Sequence, residues 1–260
     1  MDDFRLRPGD TRTMHIVIGL ADEDYKEQAE RMVAAAENGK YGAFESMWKK
    51  NLPDYRILEW NEDNFDLSKN QFVSEAYSDR NFAFVSDYVR AYVLYNYGGI
   101  YMDTDVEVLG SFDSFLDHQM FLGFEEGNFV GTCVMGTEKG HELMQTYLSH
   151  YDGLTYFNED GTKYTDTNVV LLTKLLEQRG LVRNNELQTV GDITIYPRTY
   201  FSPYDYINGI SYITDDSVAI HHFAQLWLPK GVRMKTEVKK ALIKVIGGEN
   251  LKKIREKKRK

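Results

Sequence analysis

The sequence predicts one α/β domain: a mostly parallel sheet, Rossmann-like, with helices packed on it. Three observations predict it. Short apolar runs alternate with stretches of helical period through the first 125 residues, the order that builds parallel sheets covered by helices. The runs are strand-length and end in Gly, Asn, Asp or Pro. Hydrophobic residues make up 42% of the 260 residues, enough for one sizeable core.

The elements follow in order. Residues 14–20 form a first buried strand. Residues 21–38 read as a helix, with Asp22 as its N-cap and Asn38-Gly39 as its stop. A second helical stretch over 43–50 carries Phe44, Met47 and Trp48 at helical spacing, and residues 55–60 alternate like a strand. Residues 82–97 are the central helix. Phe84, Val85, Tyr88, Val89, Tyr92 and Val93 run round most of its circumference, so it is buried on most sides. Gly98-Gly99 supplies the left-handed stop, and residues 100–102 form the next strand. Strands follow at 120–124, 130–135, 193–197 and 217–222, with helices at 140–150 and 166–179.

Charge narrows the function. The net charge is -9, yet residues 233–260 hold 12 Lys and Arg against 3 Glu, so the first 232 residues sum to -18. An acidic body is a poor match for nucleic acid. Residues 1–232 are therefore expected to be the working domain, and 233–260 a basic amphipathic tail suited to an anionic surface. The single Cys133 excludes an internal disulfide and a thiolate cluster. A reducing compartment follows. The N-terminus does not have the pattern of a signal peptide, and no apolar run approaches the ~20 residues that span a bilayer. The expected location is cytoplasmic, peripheral at the inner membrane face.

The chemistry gathers in residues 86–108. Asp87 and Arg90 are three apart on a mostly apolar helix, hence neighbours on one face. A buried charge pair is costly unless paired or bound to something. Asp103 and Asp105 sit where the following strand ends, the end at which open α/β sheets bind ligands. Strand alternation turns both the same way. Two close carboxylates repel unless a cation or proton separates them, and hard oxygen ligands suit Mn²⁺ or Mg²⁺.

These residues resemble the sugar-binding DXD glycosyltransferases: Och1-like mannosyltransferases, capsular-polysaccharide transferases and, more distantly, the clostridial glucosylating toxins. The resemblance begins near Trp48-Lys49-Lys50-Asn51-Leu52-Pro53-Asp54-Tyr55 and is densest over 82–109, with its Asp-x-x-Arg, Tyr-Gly-Gly and Asp-x-Asp elements in order. It returns at Ala219-Ile220-His221-His222-Phe223-Ala224-Gln225-Leu226-Trp227. It implies a GT-A fold, a nucleotide-sugar donor (UDP favoured over GDP), Mn²⁺ or Mg²⁺, and transfer with retention. It also implies that a hexose or N-acetylhexosamine goes to a glycan or lipid-linked acceptor in surface polysaccharide synthesis. Asp87 and Arg90 fall on the family's donor-sugar contacts. Asp103 matches the aspartate that contacts ribose and sugar hydroxyls, and Asp105 the metal ligand. His222 falls on a second metal-side ligand, and Trp227 on the aromatic that closes over the donor. Asp103, Asp105 and Arg90 are thus the expected catalytic group. The chain departs from the family in its opening strand, and in carrying Gln225-Leu226 before Trp227 where a small residue and Ser are usual.

Other signals are weaker. His221 and His222 alternate faces, so at most one points at a metal. Asp166 and Asn168 open a helix, as an N-cap or as a contact beside the site; Asn168 is kept as a donor-binding residue. Glu125-Glu126 reads as a solvated turn and Cys133 as a small buried residue. Two alternatives remain. A haloacid-dehalogenase-type phosphohydrolase also uses a strand ending in Asp-x-Asp, but Glu107 stands where it needs Thr or Val. The other is a catalytically silent sugar-nucleotide or glycan-binding domain.

Overall fold

A computed structural model describes residues 12–17, 47, 48, 50–223 and 250. The expected helix over 21–38, most of that over 43–50, Trp227 and, apart from Asn250, the segment 233–260 lie outside the described residues. Among the described residues no helix is long and apolar enough to cross a membrane.

Eleven strands and four α-helices are described. In chain order they are β1 (Arg12–Val17), β2 (Tyr55–Trp60), α1 (Gln71–Ser78), α2 (Phe82–Tyr97), β3 (Gly99–Met102), β4 (Val106–Val108), β5 (Met120–Phe124) and β6 (Val130–Thr137). There follow α3 (Glu142–Ser149), α4 (Asn168–Glu177), β7 (Gln188–Val190), β8 (Ile193–Tyr196), β9 (Tyr204–Asp205), β10 (Ile210–Ser211) and β11 (Ala219–His221). Seven strands form the central sheet in the order β2-β1-β3-β6-β5-β8-β7. β1 lies parallel to β2 and β3, and β8 parallel to β5. β6 runs antiparallel between β3 and β5, and β7 antiparallel on the edge. Five of the seven strands thus share one direction. This is a mixed α/β sheet with one reversed strand at its middle. Two small antiparallel ladders stand apart, β9 with β10 and β4 with β11.

β3 is buried at all four positions, as a central strand covered on both faces must be. Its side chains alternate between two cores. Tyr101 joins Val89, Leu94, Met135, Tyr147 and Leu172 on the face covered by α2, α3 and α4. Ile100 and Met102 join Trp48, Val106, Phe112, Phe121 and Phe201 on the other. The same alternation places Leu122 with the helices and Phe121 opposite them.

Several elements lie where the pattern puts them. α2 occupies the expected residues, 82–97. Gly98 and Gly99 end the helix as expected and both have positive φ, +67° and +100°, but with ψ at -170° Gly98 is not in the expected αL cap conformation. A methyl group at Gly98 would also stand 2.6 Å from the Lys139 backbone nitrogen. α1, which the sequence pattern does not single out, is capped by Asn70, whose side chain accepts from the Val73 N–H. α4 is capped by Thr167 and not by Asp166 or Asn168.

Candidate active site

Arg90 is the hub. It lies on α2, facing the end of β3, with a side chain only 6% exposed. Nη2 stands 3.1 Å from Asp87 Oδ1, and Nη1 stands 3.1 Å from Asp103 Oδ1. Nη1 also donates to the carbonyl and hydroxyl of Thr132 on β6, while Nε and Nη2 donate to the carbonyl and hydroxyl of Ser86. The guanidinium further covers the Tyr101 ring at 4.7 Å. Its five N–H groups are spent inside the protein. The family resemblance implies a donor-sugar contact for Arg90; in this structure its guanidinium pairs with two carboxylates.

Each carboxylate has a second anchor. Asn168, the first residue of α4, donates to Asp87 and, at 2.9 Å, to the Thr132 hydroxyl. Burial pushes the Asp87 carboxyl up to about 7, against the pull of Arg90. Tyr101 donates to Asp103 Oδ1 at 2.7 Å, and the Asp103 N–H is held by the Cys133 carbonyl. Asp103 and Asp105 occupy a turn, closed by the Val106 N–H on the Asp103 carbonyl at 3.1 Å, and not an extended strand. That turn, rather than strand alternation, presents both carboxylates to one side. Trp48 Nε1 donates to the Val106 carbonyl and Asn51 to the Val108 carbonyl, which pins β4 just beyond the turn.

The histidine at the aspartates is His221. Its Nε2 lies 3.4 Å from Asp105 Oδ1 and 4.0 Å from Asp103 Oδ2. The expected metal-side residue, His222, points elsewhere: its Nε2 lies 2.8 Å from Glu107 Oε2. The physical reason is the β4–β11 ladder. Ile220 lies opposite Glu107, so His222, two residues on, shares the face of Glu107, while His221 is turned to the other. Burial works against charge on His221, but Asp105 beside it holds the imidazole well above the usual histidine value.

Glu125 is no solvated turn. It leaves the end of β5 and lies within 4.8 Å of both Cys133 and His221. Burial lifts its carboxyl to about 7, with His221 opposing. Glu126 instead binds Arg198 at 2.7 Å. Thr132 and Glu125 carry contacts that the sequence pattern does not assign. The available signal was an acid and a threonine on either side of the connection between two strands that are buried throughout.

One ligand atom each of Asp103, Asp105 and His221 falls within 4.8 Å of the others. Two carboxylates and an imidazole nitrogen suit a hard or borderline divalent cation, so these residues fit the metal that DXD sites of this kind generally use. Beside them, Asp87, Arg90, Thr132 and Asn168 form one hydrogen-bonded polar network. Paired acids thus stand in a turn after a central strand, backed by a buried Asp–Arg pair.

Known proteins match parts of the chain. Residues 41–122 match the family described as "Glycosyltransferase sugar-binding region containing DXD motif". An uncharacterized protein of Arabidopsis thaliana is 30% identical over 142 residues, 54% of this chain and 20% of that protein. Inositol phosphoceramide mannosyltransferase 3 of Schizosaccharomyces pombe is 29% identical over 100 residues, 35% of this chain and 27% of that enzyme. The matched regions are thus about a quarter of the length of these curated relatives. Among solved structures, the glycosyltransferase GlyE of Streptococcus pneumoniae TIGR4 has a TM-score of 0.41 at 13% identity, covering 89% of this chain and 64% of that one. The galactosyltransferase LgtC, bound to donor and acceptor sugar analogs, has a TM-score of 0.33 at 14% identity, covering 88% and 94%.

Proposed function

We propose that this protein transfers a hexose or N-acetylhexosamine, with retention, from a nucleotide sugar to a glycan or lipid-linked acceptor, using Mn²⁺ or Mg²⁺. The observation that carries the reading is the meeting of Asp103, Asp105 and His221 within 4.8 Å at the end of β3. Held there, a divalent cation offsets the charge that builds on the departing diphosphate. The chain's own groups do the rest. Asp87 and Asp103, fixed from behind by Arg90, are placed to accept hydrogen bonds from sugar and ribose hydroxyls. Their fixed geometry orients the anomeric carbon before reaction and saves that ordering cost in the transition state.

The acceptor side of the reading extends to the segment 233–260. Its balance of 12 basic to 3 acidic residues suits an anionic membrane surface where lipid-linked acceptors lie, in surface polysaccharide synthesis on the cytoplasmic face. The transfer domain is then residues 1–232.

The test is thermal stability against UDP- and GDP-sugars, with and without Mn²⁺, for wild type and Asp105→Asn, followed by sugar-release assays on the nucleotide that binds. A Mn²⁺-dependent upward shift with UDP-sugars, lost in the variant, is expected. A folded protein that shifts with no nucleotide sugar overturns the transferase reading. Binding without turnover favours a silent sugar-nucleotide-binding domain.

A further inference from the structure

His221 has two ring nitrogens, and the site described above uses one. Nε2 faces Asp105 at 3.4 Å and Asp103 at 4.0 Å. Nδ1 is enclosed with no nitrogen or oxygen partner, and the Cys133 thiol beside the ring is only a weak one. A ligand histidine ordinarily donates its second ring N–H to a carboxylate or carbonyl, which fixes both the tautomer and the ring plane. An enclosed ring nitrogen without a strong partner is also left desolvated at a cost. The position calls for an acceptor.

One carboxylate is within reach. The Glu125 N–H is bonded to the Phe129 carbonyl at 2.8 Å, which fixes the root of the side chain at the end of β5. From there the side chain lies against the backbone of Gly131. A methyl group at Gly131 would stand 2.9 Å from Glu125 Oε2 and 3.3 Å from its Cβ. Gly131 and Cys133 are two apart on β6 and so share a face. Ligand atoms of Glu125, Cys133 and His221 lie within 4.8 Å of one another. Of the two neighbours, the thiol is a weak acceptor and the carboxylate a strong one. The bare α-carbon of Gly131 leaves the Glu125 side chain the place that it occupies beside β6.

We propose that Glu125 is the positioning residue of His221: it accepts the Nδ1–H, and so turns the Nε2 lone pair toward Asp103 and Asp105. This rests on Asp103, Asp105 and His221 being the cation site, and the experiment separates the two claims. Mn²⁺ is titrated into the full chain, without nucleotide and with UDP or GDP, and followed by electron paramagnetic resonance. Free Mn²⁺ reports affinity, and ¹⁴N coupling to the bound ion reports whether an imidazole is on the metal. His221→Ala and Asp105→Asn are the reference variants.

Glu125→Ala is expected to weaken Mn²⁺ binding about 10- to 100-fold. At saturating Mn²⁺ it is expected to lose or broaden the ¹⁴N coupling, as His221→Ala does. Glu125→Gln keeps the shape and one acceptor oxygen, and is expected to recover part of both. A merely structural role for Glu125 would not move the ¹⁴N signal or be rescued by an amide. Should Glu125→Ala not fold, Gly131→Ala displaces the same carboxylate and is expected to show the same loss of ¹⁴N coupling. Wild-type affinity and coupling in Glu125→Ala, with Mn²⁺ lost in Asp105→Asn, overturns this proposal and leaves the cation site standing. No Mn²⁺ bound by wild type under any nucleotide condition overturns the cation site and this proposal with it.

Discussion

Nη1 of Arg90 and Oδ1 of Asp103 stand 3.1 Å apart, while the same guanidinium reaches Asp87 through Nη2 at the same distance. One cation therefore sets the spacing of two carboxylates from different elements, one on α2 and one at the end of β3. Lysine keeps the charge but offers a single flexible ammonium in place of the planar fork. Arg90→Lys is expected to fold, to lose at least 100-fold in kcat/KM, and to show the loss mainly in kcat. Arg90→Ala leaves buried acids uncompensated and is expected to cost about 3–5 kcal/mol in urea unfolding. A fully active Arg90→Lys would remove the geometric argument.

Trp48 holds β4 from a distance of 58 residues in sequence, through a buried bond from Nε1 to the Val106 carbonyl. Trp48→Phe keeps the ring and deletes the donor. It is expected to cost about 1–3 kcal/mol in denaturant unfolding. It should also weaken metal binding, because Val106 closes the Asp103–Asp105 turn. Lost stability with unchanged Mn²⁺ affinity would show that the turn keeps its shape without this tether.

Gly136 lies opposite Phe121 across β5 and β6, and the phenyl ring occupies the place of its missing side chain. A Cβ at Gly136 would fall 1.9 Å from Phe121 Cε1. Gly136→Ala is expected to destabilise by about 1–3 kcal/mol or more through overpacking. Combining it with Phe121→Leu is expected to cost less than the sum of the two single changes. Calorimetry on the four proteins of that cycle checks this, and strict additivity would sink it.

Asp79, the residue after α1, accepts from Lys163 at 2.7 Å and from the Tyr156 hydroxyl at 2.7 Å. Lys163 first, then Tyr156, hold its carboxyl below the usual 3.8. An acid whose folded value is depressed contributes stability above its unfolded value and loses it as pH falls through the folded one. Asp79→Asn is therefore expected to be less stable than wild type at pH 7, with the difference closing as pH drops below 3.8. Because Lys163 is half exposed, the effect is also expected to shrink with salt. Urea unfolding across pH gives the answer; a gap that does not narrow in acid would assign the effect to something other than ionisation.

The parts that sequence made legible are those set by local rules. The apolar circumference of α2 and the glycines after it need no knowledge of distant chain, so α2, its stop and β3 stand where the pattern puts them. The polar partners of Asp87 and Arg90 are different. Thr132 lies 42 residues from Arg90, and Asn168 lies 81 from Asp87. Only the insertion of β6 beside β3, and the docking of α4, bring them in. The choice between His221 and His222 had the same character. Alternation allows one of them, and the pairing of β11 with β4, more than 100 residues away, selects which. Glu125 looked like a turn acid because the two acids after β5 read alike. The glycine that gives the first of them room to fold inward belongs to the next strand.

The reversed strand at the middle of the sheet has a consequence for assembly. β6 joins a half built from β1, β2 and β3 to a half built from β5, β7 and β8, and every hydrogen bond between the halves of the sheet passes through it. It also holds the Asp103 amide and the Arg90 guanidinium. Either half alone would leave Arg90 without Thr132 and Asp103 without the Cys133 carbonyl. The cluster of Asp87, Arg90 and Asp103 would then be completed only in the last step of folding. The Asp103 amide is expected to exchange with deuterium only through global opening, at the same free energy as the most protected amides of β3 and β6.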